Sequence, residues 1–249
     1  MKKSISRAVN LAVMAALACA GCADKGIDEE SSDNGGVVDK FLGAPVVAPP
    51  VISTFKDSRD GKSYRAATIG TQTWMAENLN YDVPKDTTDV CYGNSADSCA
   101  KYGRLYSWQT AMDGAEGSTT NPSGVQGACP ANWHVPSELE WTVLENYVGG
   151  LTGKKLKSTS GWNGSGNGSD DYGFSALPGG GLWDRNGWED ADSSYSTGDY
   201  GYWWSATGNS GNVYVRRMSK GYLMERVQCY GFFGGCGERI LLSVRCVRD

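Results

Sequence analysis

Apolar and polar positions alternate along "SYRAATI": Tyr64, Ala66 and Thr68 share one face, and Ser63, Arg65 and Ala67 share the other, before Ile69. That period of two predicts a half-buried strand over residues 63–69. Asp60-Gly61 just ahead of it signals a hairpin with a type I′ turn, whose two central residues need positive φ. "QTWMAENL" predicts a second strand that leaves the sheet at Asn78. In "YGRLYSWQTAMDG" the pattern changes: Leu105, Trp108, Gln109 and Met112 recur at helical spacing, with Gly114 near the stop. A first helix of about three turns is expected there. The second helix is marked more sharply. Ser137 and Glu140 form a Ser-x-x-Glu capping box behind Pro136, Leu139, Trp141, Val143, Leu144, Tyr147 and Val148 make a broad apolar face, and Gly149-Gly150 supply the stop. Beyond it the chain is rich in glycine and aromatic residues, which predicts short strands between long loops. Trp203 and Trp204 in "YWWSAT" are expected in the core. "LLSVRCV" alternates Leu242, Val244 and Cys246 against Ser243, Arg245 and Val247, as a terminal strand would.

The capping box also bears on His134, the single histidine of the chain. A lone histidine near neutral pH invites a catalytic reading. Here it sits beside Trp133 in the rigid approach to the second helix, with no second histidine and no nearby nucleophile. The expectation is a structural ring that hydrogen-bonds backbone in the turn.

The first residues follow a different logic. Lys2, Lys3 and Arg7 precede a short apolar run, "LAVMAALACA", too short to span a bilayer and followed by small residues, as in a cleavable export signal. "LACAGC" resembles the lipobox of bacterial lipoproteins, with Cys22 as the lipidated residue and Cys19 as the alternative. Residues 1–21 are therefore expected to be a lipoprotein signal peptide. Residues 22–52, acidic and then proline-rich, cannot bury enough apolar surface to offset their ordering entropy and are expected to form a disordered, lipid-anchored tether. Residues 53–249 remain for a single domain. The net charge of −5 offers no basic footprint for nucleic acid.

Of the eight cysteines, six fall in the domain: Cys91, Cys99, Cys129, Cys229, Cys236 and Cys246. Export would place them where disulfides form. Six cysteines allow 15 pairings and sequence does not choose among them. Proximity suggests Cys91–Cys99 and Cys229–Cys236, leaving Cys129–Cys246. Zinc is the competing reading, opposed by the lack of any CxxC pair in the domain.

Several blocks together carry a family resemblance: "DSRDGKSYRAATIGTQTWMAENLNY", "YGRLYSWQTAM", "CPANWHVPSELEW", "DDYGFSALPGGG", "YWWSAT" and "LLSVRCVRD". In this order they resemble the Fibrobacter succinogenes major paralogous domain (FISUMP), over nearly everything from Asp57 to Asp249. The resemblance implies an exported envelope or surface protein, frequently a lipoprotein, here expected on the outer membrane and surface-exposed. "WHVPSELEW" and "GFSALPGG…WWSAT…SVRCV" are also similar to the formylglycine-generating-enzyme and sulfatase-modifying-factor superfamily. That similarity implies an α+β, C-type-lectin-like domain with two main helices, small antiparallel and mixed sheets and long Gly/Trp-rich loops.

Function divides accordingly. The formylglycine-generating enzymes use a copper-bound cysteine pair, and Cys229 and Cys236 lie in the corresponding region, but their C-x6-C spacing is wider and "YGFFGG" replaces the accompanying polar residues. No complete catalytic set is visible, so a non-catalytic binding or adhesion domain is the expectation, with no cofactor other than an optional Ca²⁺. Its ligand would be a polysaccharide or a surface protein, and its membrane contact the lipid anchor. A purely structural envelope component is the further alternative. Trp162, Trp183 and Trp188, in or beside glycine-rich loops, are the candidate ligand-stacking rings. Asp170, Asp171, Glu189, Asp190 and Asp192 are weak candidates for Ca²⁺ ligation.

Overall fold

The chain enters the domain as strand β1 (Val51–Lys56), turns through residues 57–62 and returns as β2 (Ser63–Ile69), in register from Val51 opposite Thr68 to Lys56 opposite Ser63. The hairpin lies where Asp60-Gly61 predicts it, but its loop is longer than a two-residue type I′ turn. Gly61 has positive φ (77°) and Asp60 does not. Asp57 organises the loop instead. Its backbone carbonyl accepts from Gly61 N and its buried carboxylate accepts from Arg59 N at 3.0 Å.

These coordinates come from a computed structural model, which describes residues 49–84, 89–183, 197–209, 211–230 and 240–249. Residues Val47–Asp249 group as one compact unit. The remaining strands are β3 (Gln72–Met75), β4 (Asp89–Val90), β5 (Leu105–Tyr106), β6 (Trp133–His134), β7 (Leu182–Trp183), β8 (Gly201–Asn209), β9 (Asn212–Met218), β10 (Met224–Tyr230), β11 (Ile240–Ser243) and β12 (Val247–Arg248). The helices are α1 (Ala96–Tyr102), α2 (Trp108–Met112), α3 (Glu138–Val148) and α4 (Thr152–Leu156), all short apart from α3. One sheet runs β1-β2-β3-β12-β6. The other runs β10-β9-β8-β11-β5-β4, with β7 pairing β11. Pairing is antiparallel throughout except between β8 and β11. The domain is α+β. No described helix is long and apolar enough to cross a membrane.

Strand alternation builds two cores rather than one core and one wet face. Tyr64 and Ala66 of β2 enter a cluster with Met75, Trp133, Trp204, Leu242 and Cys246, whereas Ala67 and Ile69 enter a second with Trp74, Trp141, Phe174, Trp203 and Val247. The half-buried strand expected at residues 63–69 thus buries one face at Tyr64 and Ala66 and the other at Ala67 and Ile69, with Thr68 exposed. Trp203 and Trp204, adjacent in sequence, point into opposite clusters, and both are fully buried as expected.

Two elements depart from their sequence patterns. The first helix is not three turns long: Leu105–Tyr106 is strand β5, held between β4 and β11, and α2 begins only after Ser107. Ser107 caps it by accepting from Thr110 N, and Asp113 in the left-handed region ends it. Strand pairing outweighs a helical spacing of only a few residues. "LLSVRCV" is not one strand. β11 belongs to one sheet and β12 to the other, and the crossing segment is bonded on the way, with Leu79 N donating to Val244 O and Met75 N to Cys246 O. All of Ile240–Val247 is therefore buried, Arg245 included. The second helix matches its signals closely: α3 starts behind Ser137 with both arms of the capping box formed and ends at Gly149.

Candidate functional site

A cleft of about 300 Å³ opens where α1 faces the end of the β2–β3 hairpin. Strand β2 contributes Ser63 and Tyr64, and Lys62 precedes them. The chain leaving β3 contributes Glu77, Asn78 and Asn80. Cys99, Ala100 and Lys101 of α1, then Gly103, form the facing wall, and Leu177 closes one side. Such a volume is at the lower end of small-molecule sites, about 300–1,000 Å³.

Each wall is fixed locally. The Cys91–Cys99 disulfide ties α1 to the segment after β4, with Cα atoms 5.0 Å apart. Gly103 has φ 77°, and a Cβ there would lie 2.7 Å from the carbonyl oxygen of Leu79. Only glycine lets α1 end this close to the hairpin. Tyr64 is buried and its hydroxyl accepts from Asn80 N at 3.1 Å, so burial pushes its pKa up to about 12 despite that bond. Lys62 Nζ donates to Asp60 Oδ2 at 2.9 Å and to Asn80 O at 2.6 Å. Glu77 accepts from Arg65 N and Arg65 Nε, both at 2.6 Å. Lys101 is exposed, with Nζ 4.7 Å from the centre of its neighbour Tyr102's ring.

Asn78 joins the cleft to a buried polar knot. Its Oδ1 accepts from Arg245 Nε (2.9 Å), Arg245 Nη2 (2.7 Å) and Trp203 Nε1 (2.8 Å). Its Nδ2 donates to Tyr102 O and to Ser243 Oγ. Arg245 Nη1 donates to the carbonyls of Met75 and Phe174. The guanidinium is 0 % exposed and lies over the Phe174 ring, and its hydrogen bonds go to an amide and to backbone carbonyls. Burial pulls its pKa down to about 9, with the charges of Glu77 and Asp170 opposing the fall, so it remains a cation at neutral pH.

Trp162 does not face a ligand. It is 4 % exposed in the second core, its Nε1 donates to Ala176 O at 3.0 Å, and Lys157 Nζ lies 4.8 Å from its ring centre. The glycine-rich loop around it folds inward because the small sheets leave space that only a large ring fills. Trp183 pairs through its backbone with Ile240. Its side chain lies outside the described residues, as do Trp188, Glu189, Asp190 and Asp192. Asp170 is turned inward upon its own loop, accepting from Ser175 N and Ser175 Oγ, and Asp171 is exposed. Among the described residues no cluster of three or more His, Cys, Asp or Glu is placed to hold a metal.

The cysteine reading is met where it can be seen. Cys91–Cys99 and Cys129–Cys246 are disulfides. Cys229 is disulfide-bonded too, while Cys236 lies outside the described residues. Cys22 and residues 1–48 lie outside them as well, whereas Val51 and Ile52, the end of the expected tether, already pair with β2 as the start of β1.

His134 is buried, but its partners are carboxylates rather than the backbone. Nε2 lies 2.6 Å from Glu140 Oε1, and Nδ1 lies 2.6 Å from Asp249 Oδ1. Burial opposes its charge, yet the bonds and charges of Glu140 and then Asp249 prevail and raise its pKa. Glu140 Oε2 meanwhile accepts from Ser137 N and Ser123 N. The capping box therefore extends into a clasp between α3, the Ser123 loop and Asp249.

Sequence patterns do not single out Asn78, Lys101 or Arg245. Arg245 reads as a surface position of a regular strand. The one available signal is its place in "SVRCV", a polar residue beside a cysteine expected in a long-range bridge.

Against known proteins, the model of the Fibrobacter succinogenes major domain matches residues 67–248. No curated protein and no solved structure matches the chain.

Proposed function

Because this chain belongs to the Fibrobacter succinogenes major domain family, we propose that it is an exported, lipid-anchored envelope protein whose domain binds a ligand in the α1 cleft without chemical turnover. The observation that carries the reading is the cleft itself, a concave site of mixed polar and apolar lining whose wall is locked by a disulfide and whose Asn78 is braced from behind by Arg245. The Cys91–Cys99 and Cys129–Cys246 disulfides suit an oxidising compartment. The lipobox around Cys22 and the polar tether after it support attachment to the outer membrane, with the domain held off the surface. A C-type-lectin-like classification is part of the same proposal, supported by small mixed sheets, few helices and long loops.

Binding is favoured over catalysis by the lining residues. Glu77 is the carboxylate among them and is already engaged by Arg65, whereas glycoside hydrolysis uses a pair. Tyr64, held protonated by burial, has no base beside it in the lining. The ligand class is a glycan or a surface protein, with Ca²⁺ optional. The test is a binding screen of the full-length protein against glycans and surface extracts, with and without calcium. It is repeated with Ala100→Trp, which fills the cleft from an exposed helical position. Binding that Ala100→Trp abolishes, with disulfides intact, is the expected result. Binding that survives Ala100→Trp unchanged places the ligand elsewhere and removes the basis of the reading.

A further inference from the structure

Resting on the binding reading above, we propose that the cleft selects a saccharide bearing a carboxylate, such as a uronic acid residue, with Lys101 as the principal contact and Lys62 as the second.

The charges around the cleft are arranged against the trend of the whole protein. The chain carries a net charge of −5, so its average surface repels anions. Around this cleft the balance reverses. Lys62 and Lys101 line it, and Arg245 lies behind its floor with hydrogen bonds to neutral acceptors only. Three acids oppose these cations, of which Asp170 is bonded to Ser175. Asp60 shares Lys62, and Glu77 takes the backbone and side chain of Arg65. A buried cation is poorly screened by salt and water, so its field persists toward the nearest open space. Lys101 differs from Lys62 because its ammonium is exposed and rests near a ring rather than a carboxylate. It can turn to an incoming anion without breaking an ion pair.

The rest of the lining favours a sugar over a bare anion. Ser63 and Asn80 bring a hydroxyl and an amide able to read hydroxyls. Leu177, half-buried, offers an apolar wall for ring C–H groups. The volume of about 300 Å³ suits one or two pyranose rings with the remainder of a chain left in solvent.

The experiment is calorimetric titration of the full-length protein in detergent with two probes, a galacturonic acid trimer and a neutral galactose trimer. The acidic trimer is expected to bind, more weakly as salt rises, and the neutral trimer to bind far less. Lys101→Gln should weaken the acidic trimer about tenfold, the loss of one charge-assisted hydrogen bond. Arg217→Gln, which removes an equal charge from a residue outside the cleft lining, should leave it unchanged. Equal binding of both trimers, or equal losses in the two variants, overturns the selection of a carboxylate while leaving the cleft as a binding site. Binding of neither trimer also overturns it, and the screen with Ala100→Trp then decides separately whether the cleft binds anything.

Discussion

Among the described residues two arginines are almost completely buried, and the protein treats them in opposite ways. Arg216, on β9, is enclosed by acids of α3: Nη2 is 2.9 Å from Glu138 Oε2, Nη1 is 2.7 Å from Glu145 Oε2, and Thr142 Oγ1 accepts as well. Arg245, in the crossing between β11 and β12, has an amide oxygen and backbone carbonyls. The first arrangement neutralises its charge on the spot and fastens a helix to a sheet. The second gives four of the guanidinium's five N–H groups a neutral acceptor and leaves the charge standing. A protein that needs only packing replaces such a cation with an apolar side chain at little cost or even a gain. Retaining it beneath an open cleft is therefore informative, and it is the reason to read that cleft as electrostatically tuned.

The largest expected effect comes from releasing the segment that carries Arg245. The neighbouring Cys246 is bridged to Cys129 across a sequence separation of 117 residues. In the chain-entropy description, replacing both cysteines by alanine lowers stability by about 5 kcal/mol. Chemical denaturation of the oxidised protein and of the double variant measures it. Hydrogen exchange should rise first around residues 75–79 and 244–248, with the β8–β9 ladder around Arg216 affected last. Uniform loss of protection would remove the distinction between the two regions.

Next come the arginines themselves. Arg216→Met leaves Glu138 buried without its partner, a cost on the order of 3–5 kcal/mol near neutral pH. Burial already raises the Glu138 pKa, against the pull of Arg216. Without Arg216 it rises further, so the folded state holds a proton that the unfolded state releases. The deficit then shrinks as pH falls toward 4.5. Arg245→Met strands no acid. It leaves Asn78 Oδ1 and two carbonyls short of donors, costs about 1–3 kcal/mol, and shows no such relief in acid. Unfolding free energies of both variants between pH 5 and 7, taken as about the range where carboxylate protonation would act, separate them. Parallel pH curves would mean that the two arginines are equivalent.

The smallest effect concerns another buried cation, Lys157. Lys157 Nζ donates to the carbonyls of Ser219 and Gly221, and burial lowers its pKa to about 8 from 10.5. Above pH 8 the folded state sheds this proton while the unfolded state keeps it, so the lysine's contribution to stability rises with pH up to about 10. Lys157→Met should flatten that part of the stability profile. An unchanged slope would show that Lys157 keeps its proton on folding.

How much of this was legible depended on whether neighbours in sequence are also partners in space. The capping box at Ser137 and Glu140 is local chemistry, and α3 begins and ends where it says. The β2 alternation was likewise readable from the strand period, and Cys91–Cys99 and Cys129–Cys246 match the pairing that proximity suggested, although the sequence itself leaves 15 pairings open. The fate of "YGRLYSW" was not, since Leu105–Tyr106 is claimed by strands more than a hundred residues later in the chain as well as by β4. Trp162 shows the same limit. A tryptophan among glycines looks exposed in sequence, but it is needed where short sheets leave a gap in the core. The cleft was the least legible feature, since Lys62, Asn78, Lys101 and Leu177 share no motif and meet only through the fold.

The central claim is that the α1 cleft is where this protein meets its ligand. Hydrogen–deuterium exchange of the full-length protein, with and without the galacturonic acid trimer, tests it most directly. Added protection should be confined to residues 62–64, 77–80 and 96–103. Protection centred on other segments, with these unchanged while the trimer is bound, would contradict it.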